Sequence, residues 1–172
     1  GRMARRRSSH SQPVLLAPTA PGVDGVELAR MRRSLPLALL LAREAVVERY
    51  RGMLAAHDVT DQQWRVLRAL REAGEMDATQ LARASIVFAS SLTRINRTLE
   101  ARGFIASRKD PADGRRALIR LAEPGRRFLA EVSPESAAIS ARIEARLGRE
   151  RLAHLLDELG AVLDALDEDA SR

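Results

Sequence analysis

The chain has 172 residues, enough for one domain with an extension, and 45% of them are hydrophobic, enough for a sizeable core. Cysteine is absent, which excludes disulfides, thiolate nucleophiles, thiol redox switches and cysteine-based zinc sites. No apolar run approaches the roughly 18 residues that a membrane span needs, and the net charge of +6 points to an anionic partner.

Aromatic residues make up only 3% of the chain, so the core must come from Leu, Ala, Val and Ile, a mixture dominated by strong helix formers. A mainly α fold follows. The charge is unevenly spread. Residues 83–127 hold ten Arg and Lys109 against Glu100, Asp110, Asp113 and Glu123, whereas residues 157–172 hold six acids against Arg172 alone. A basic middle beside an acidic end suggests one polyanion-binding face.

Residues 1–33 are rich in Arg, Ser and Pro without an apolar period and read as a disordered basic arm, with "LAPTAPGVDG" at 16–25 as linker. Arg5, Arg6 and Arg7 read as part of that solvated tail. The N-terminal stretch lacks the apolar core and cleavage site of a signal peptide, so a cytoplasmic protein is expected.

Order is expected from "SLPLALLLAREAVVERYRGMLAAHDV", with Ser34 as cap, Pro36 in the first turn and an apolar stripe of Leu37, Leu40, Leu41, Val47, Tyr50 and Leu54. "TDQQWRVLRALREAG" opens on a capping-box pair, Thr60 and Gln63, and stops at Gly74. The device recurs in "DATQLARAS" with Asp77 and Gln80, after which the chain breaks around "IVFA". "SSLTRINRTLEARG" starts at a Ser pair and ends at Gly103. Leu92, Ile95 and Leu99 form its core stripe, leaving Ser90, Ser91, Thr93, Arg94 and Arg97 largely outside it.

Residues 108–121, "RKDPADGRRALIRL", carry a reversal at Asp110, Pro111, Asp113 and Gly114 between two short β-prone flanks, "FIASRK" and "RALIRL". The tip presents Arg108, Lys109, Arg115 and Arg116, with Asp113 placed to orient Arg115. Helix, short helix, helix and charged hairpin, in that order, make a winged helix-turn-helix. Beyond it "EPGRRFLAEV" returns to helix, pauses at Ser133-Pro134 and continues to about residue 167. Leu152, Leu155, Leu156, Leu159, Val162, Leu163 and Leu166 form a seam too rich for one helix on one small domain, so a homodimer interface shared with the first helix is expected. The expected domains are thus an arm at 1–33, a helical dimerisation region at 34–57 and 123–167, and a winged helix-turn-helix DNA-binding domain at 58–122.

The helix of Ser90–Arg97 suits a major groove. Small hydroxyls in its first turn allow close approach to phosphates, and Arg94 can reach a guanine edge. Arg115 and Arg116 at the hairpin tip suit the flanking narrow minor groove. Catalysis finds little support. His10, His57 and His154 lie far apart without metal-ligand spacing, and there is no Gly-rich phosphate loop or nucleophile elbow. No enzyme activity, metal site or cofactor is expected.

Residues 91–125, "SLTRINRTLEARGFIASRKDPADGRRALIRLAEPG", resemble the signature of MarR-type winged-helix regulators. Ser91, Leu92, Arg94, Leu99, Glu100, Gly103, Phe104, Ile105, Asp113, Arg115 and Gly125 stand in matching places, and the element order matches over 34–167. Ala122 departs from the pattern, which has Thr there to cap the next helix; Ala at an N-cap costs about 1 kcal/mol, partly offset by Pro124 in the first turn.

Within the family, residues 33–70 look most like regulators of aromatic catabolism of the homoprotocatechuate-operon and hydroxynicotinate or nicotinate repressor types. The resemblance implies a homodimeric, ligand-responsive repressor that binds a pseudo-palindromic operator in double-stranded DNA and releases it to a small aromatic acid. It also implies an effector pocket between the dimerisation helices and the winged helix. Arg43 could pair the carboxylate, and His57, Trp64 and Phe88 could stack or hydrogen-bond. Two rival readings remain open at this point: an architectural DNA-binding protein without effector, and an all-α module whose basic face meets an acidic protein.

Overall fold

The computed structural model describes residues 25–170. They fall into two compact units divided between Arg49 and Tyr50. The first holds helices α1 (Gly25–Arg33) and α2 (Leu35–Glu48). Residues 25–33, expected as part of the arm, are therefore helical, while 1–24, with Arg5, Arg6, Arg7 and His10, lie outside the described residues. Ser34 stands at the N-cap of α2 in extended conformation with Pro36 in the first turn, but its side chain makes no capping bond. No residue of α2 is buried, and Leu35, Leu39, Leu40 and Val46 are all exposed.

The second unit opens with α3 (Arg51–Ala56). The single helix expected over 34–57 is thus interrupted: Arg49 N–H donates to Val46 O three residues back (3.1 Å), tightening the last turn of α2, and α3 starts anew from Tyr50 O. Then follow α4 (Asp61–Ala73), β1 (Met76–Asp77), α5 (Ala78–Ser85), α6 (Ala89–Ala101), β2 (Ile105–Lys109), β3 (Ala117–Leu121), α7 (Glu123–Leu147) and α8 (Arg149–Ala170).

Both expected capping boxes are formed. In α4, Gln63 N–H donates to Thr60 Oγ1 (3.1 Å) and Thr60 N–H to Gln63 Oε1 (3.0 Å). In α5, Gln80 N–H donates to Asp77 Oδ1 (2.8 Å) and Asp77 N–H to Gln80 Oε1 (3.0 Å). Gly74 ends α4 at φ +80°, a region open to glycine. The hairpin β2–β3 pairs Ile105 with Leu121 through to Lys109 with Ala117. Its inner strand also pairs with β1, Met76 opposite Ile119, giving an antiparallel sheet in the order β1-β3-β2. Two residues are too short a strand to show an alternation, so β1 left no pattern in the sequence.

The core of this unit gathers Val66, Leu67 and Leu70 of α4, Leu81 of α5, Leu92, Ile95 and Leu99 of α6, Ile105, Ile119 and Leu121 of the sheet, and Leu129 and Val132 of α7. Burial on this scale contributes about 1.5–3 kcal/mol per large side chain. Gly125 is fixed by close approach: a Cβ there would lie 2.1 Å from Phe104 O, the carbonyl that accepts from Ala122 N–H. Ala122 is the N-cap of α7, without a side-chain bond.

The expected pause at Ser133-Pro134 is absent. α7 runs through Pro134 and breaks instead at Gly148, φ +88°. Packing of the buried Leu129, Val132 and Ile139 on either side holds the helix across the proline's missing donor. Ser133 Oγ donates to Leu129 O (2.5 Å) in the same turn. Among the described residues no helix is long and apolar enough to cross a membrane.

Candidate nucleic-acid interface and effector groove

The outer face of α6 carries Ser90, Thr93, Arg94 and Arg97 exposed and Ser91 half-buried, while Leu92, Ile95 and Leu99 are buried beneath. The helix starts one residue before the Ser pair, with Phe88 as N-cap and no side-chain capping bond. Its approach is set by Arg65 of α4. Arg65 Nη1 donates to Ser85 O (2.9 Å) and Ile86 O (2.6 Å), the last residue of α5 and its C-cap, and Nε lies 3.2 Å from Asp61 Oδ2. The α5–α6 turn is therefore tied to α4 by one guanidinium, although Ile86 stands in the left-handed region at φ 54°, unusual for a β-branched residue.

The cations of the hairpin divide into two groups. Arg108 donates from Nε and Nη2 to Glu75 Oε2 and Oε1 (2.9 and 2.6 Å), a bidentate pair. These bonds from Arg108, opposed by partial desolvation and aided by the fields of Arg108 and Arg120, hold the Glu75 carboxyl below its ordinary pKa. Arg116 Nη2 pairs with Asp77 Oδ2, so the half-exposed Arg116 is bound to the cap of α5 rather than presented at the tip. These two pairs, with the β1–β3 pairing, fix the hairpin base to the body.

At the tip the turn holds itself. Ala112 N–H donates to Asp110 Oδ1 (2.9 Å), Arg115 N–H to Asp113 Oδ1 (3.0 Å) and Arg116 N–H to Asp113 O (3.0 Å). Asp113 thus orients Arg115 through its backbone, not its guanidinium. Lys109 and Arg115 are exposed, and neither makes an ion pair among the described residues.

A second feature lies between α4 and α7: an open groove of about 570 Å³ lined by Trp64, Arg68 and Arg71 on one side and Ser133, Ser136, Ala137, Ser140, Ala141 and Glu144 on the other. Arg71 Nη1 donates to Ser133 Oγ (3.0 Å), and Tyr50 Oη and Ser140 Oγ share a hydrogen bond of 2.7 Å. Trp64 is buried, its ring edge-on to Phe128 at 6.5 Å. Phe128 also stacks on Phe104 at 4.5 Å and meets His57 edge-on at 6.0 Å. Arg102 lies over the Phe104 ring at 4.5 Å.

Of the four residues expected at an effector pocket, only Trp64 lines this groove. His57 joins it indirectly, through Phe128, with its Nε2 3.0 Å from Glu135 Oε2. Phe88 stands at the start of α6, 79% exposed, because the N-cap position leaves its side chain outside the helix-packed core. Arg43 lies on α2 in the other unit, Nη1 3.5 Å from Glu44 Oε1. Arg68 and Arg71 were not anticipated, yet a signal existed: Arg68 follows Trp64 by four residues, one turn along the same helix face.

A scan against family models matches the MarR family over residues 59–117. The chain is 36% identical over 137 residues to the HTH-type transcriptional regulator FarR of Neisseria gonorrhoeae, covering 78% of this chain and 94% of that one. It is 34% identical over 142 residues to the homoprotocatechuate degradative operon repressor of Escherichia coli, covering 81% and 96%. Among solved structures, NadR in complex with 4-hydroxyphenylacetate is 32% identical, with a TM-score of 0.67 over 84% of this chain and 96% of that one.

Proposed function

The chain belongs to the MarR family, and from that premise we propose that it is a homodimeric repressor of an aromatic-compound catabolic operon, released by a small aromatic acid. The observation that carries the DNA-binding part is the division of the arginines. Arg108 and Arg116 are bound to carboxylates of the body, whereas Arg94 and Arg97 on α6 and Arg115 at the wing tip face solvent without an ion pair among the described residues. In this reading α6 enters the major groove with Ser90, Ser91, Thr93, Arg94 and Arg97, and Arg115 reaches the flanking minor groove. Two-fold symmetry then gives a pseudo-palindromic operator with half-site centres about 10 bp apart. The exposed leucines of α2 and of α8, where Leu155, Leu156, Leu163 and Leu166 face outward, supply apolar surface for the dimer.

The α4–α7 groove suits the effector. Trp64 offers an aromatic edge, Arg68 a carboxylate partner, and Ser136 and Ser140 hydroxyls for a ring substituent. The operon repressor of Escherichia coli and NadR with its bound 4-hydroxyphenylacetate support an effector of this chemistry.

The test is a fluorescence-anisotropy titration of the chain's own upstream DNA against scrambled competitor, repeated with 4-hydroxyphenylacetate, homoprotocatechuate and hydroxynicotinate. Selective binding released by one acid in the wild type, and not in Arg68→Ala, is the expected result. Selective binding that no acid disturbs removes the effector. Equal binding to both DNAs favours an architectural protein, and binding to neither favours a protein partner.

A further inference from the structure

The two most exposed large hydrophobic residues described, Ile86 at 78% and Phe88 at 79%, stand two positions apart where α5 hands over to α6. A phenyl ring left in water is the informative kind of exposure, since the chain's other two phenylalanines stack on each other at 4.5 Å. The position also forgoes local stability. Phe88 is an N-cap, where Ser, Thr, Asp or Asn is favoured by about 1 kcal/mol over an apolar residue, and the two preceding helices both use full capping boxes. Ile86 holds a left-handed backbone that a β-branched residue rarely adopts, and Arg65 fastens its carbonyl at 2.6 Å. The chain thus presents an exposed apolar ring at the leading end of a helix whose outer face carries Arg94 and Arg97.

The surroundings select the occupant. Phe88 does not line the α4–α7 groove, so the effector is not its partner. An apolar ring at the start of a helix whose outer face carries Arg94 and Arg97, without ion pairs among the described residues, fits a polyanion that carries apolar groups of its own. In the major groove of DNA the accessible apolar group is the thymine 5-methyl. We propose that Phe88 reads thymine by packing its ring on that methyl group in each half-site, making it a specificity-determining residue. The proposal rests on the DNA-binding reading above and adds a base preference to it.

Replacing thymines singly with deoxyuridine removes the methyl and nothing else. In anisotropy titrations of the full chain on the upstream fragment, one position per half-site should lose about fourfold in affinity, the worth of one buried methyl group. Phe88→Ala should lose a similar factor on the unmodified DNA and be indifferent to deoxyuridine at that position. Phe88→Leu, which keeps an apolar contact, should retain part of the discrimination. A wild type that binds selectively yet ignores every deoxyuridine overturns the assignment, as does a Phe88→Ala variant that still senses the same position. A wild type that does not distinguish the fragment from scrambled DNA overturns the regulator reading itself, and this assignment with it.

Discussion

Two helix starts, eleven residues of sequence apart in their caps, are built on opposite plans. At α5, Asp77 is nearly buried, closes a capping box with Gln80 and takes Arg116 of the wing on its second oxygen. At α6, Phe88 occupies the same position, bonds nothing with its side chain and is 79% exposed. The first start closes on itself and on the wing through Asp77 and Gln80. The second has no side-chain cap, begins with the small residues Ala89, Ser90 and Ser91, and is followed on the same helix by Arg94 and Arg97, which make no ion pair among the described residues. α2, α3 and α7 also begin without a side-chain capping bond, but at α6 the uncapped end carries a ring that is 79% exposed, an arrangement for something outside the chain. The hairpin repeats the contrast at smaller scale, with its base bound through Arg108 and Arg116 and its tip presenting Lys109 and Arg115.

The sharpest way to break this comparison is at the closed start. Asp77→Ala removes the cap of α5 and leaves Arg116 without its carboxylate. A loss of about 2 kcal/mol is expected, from a cap worth about 1 and a partly buried charge pair of similar worth. Urea denaturation at fixed temperature checks it; an unchanged midpoint would mean that Asp77 does not anchor the wing.

At the hairpin, Arg115→Ala and Arg116→Ala should separate two jobs. Arg115→Ala should lower the slope of log affinity against log salt by about one unit while leaving the melting temperature alone. Arg116→Ala should lower the melting temperature and change the slope less. If both variants shift the slope equally, Arg116 leaves Asp77 for DNA in the complex, and the split at the hairpin fails.

The open start offers a gain. Phe88→Asn supplies the missing acceptor to the first turn of α6 and should raise stability by about 1 kcal/mol, read as a higher urea midpoint at unchanged slope. Operator affinity should fall in the same variant. Stability and binding rising together would contradict the contrast between the two starts.

Much of this architecture is legible in the sequence. Thr60 with Gln63 and Asp77 with Gln80 announce their helices because a capping box is a local pattern of two residues at fixed spacing. Leu92, Ile95 and Leu99 give the buried face of α6 by period alone. Features made by residues distant in sequence were not legible. The pairing of Arg116 with Asp77 joins residues 39 positions apart in sequence, and β1 exists only because β3 comes to lie beside it. Pro134 reads as a break in the sequence because the propensity of a single residue is local, whereas the packing of Leu129, Val132 and Ile139 that carries α7 past it is not. Phe88 shows the same limit from the other side: its composition suggests a packing or ligand-stacking ring, and only the fold places it outside the core and the groove.

The smallest expected effect concerns the second anchor of the wing. The bidentate bonds from Arg108 hold Glu75 below its ordinary pKa. A carboxylate whose folded pKa is depressed contributes stability that is present above the unfolded pKa and is lost as the pH falls through the folded one. The Glu75 contribution should therefore be complete at neutral pH and disappear on acidification through and below the ordinary carboxylate range. Exposure of both partners keeps it small. Glu75→Gln should flatten the melting temperature against pH between about 3 and 5 and leave it nearly unchanged at pH 7 beyond the loss of the pair itself. If Glu75→Gln instead destabilised the wing as much as Asp77→Ala, the two anchors would be equivalent. The expected inequality follows from burial: Asp77 is 8% exposed and also caps a helix, whereas Glu75 sits on the surface and serves the hairpin alone.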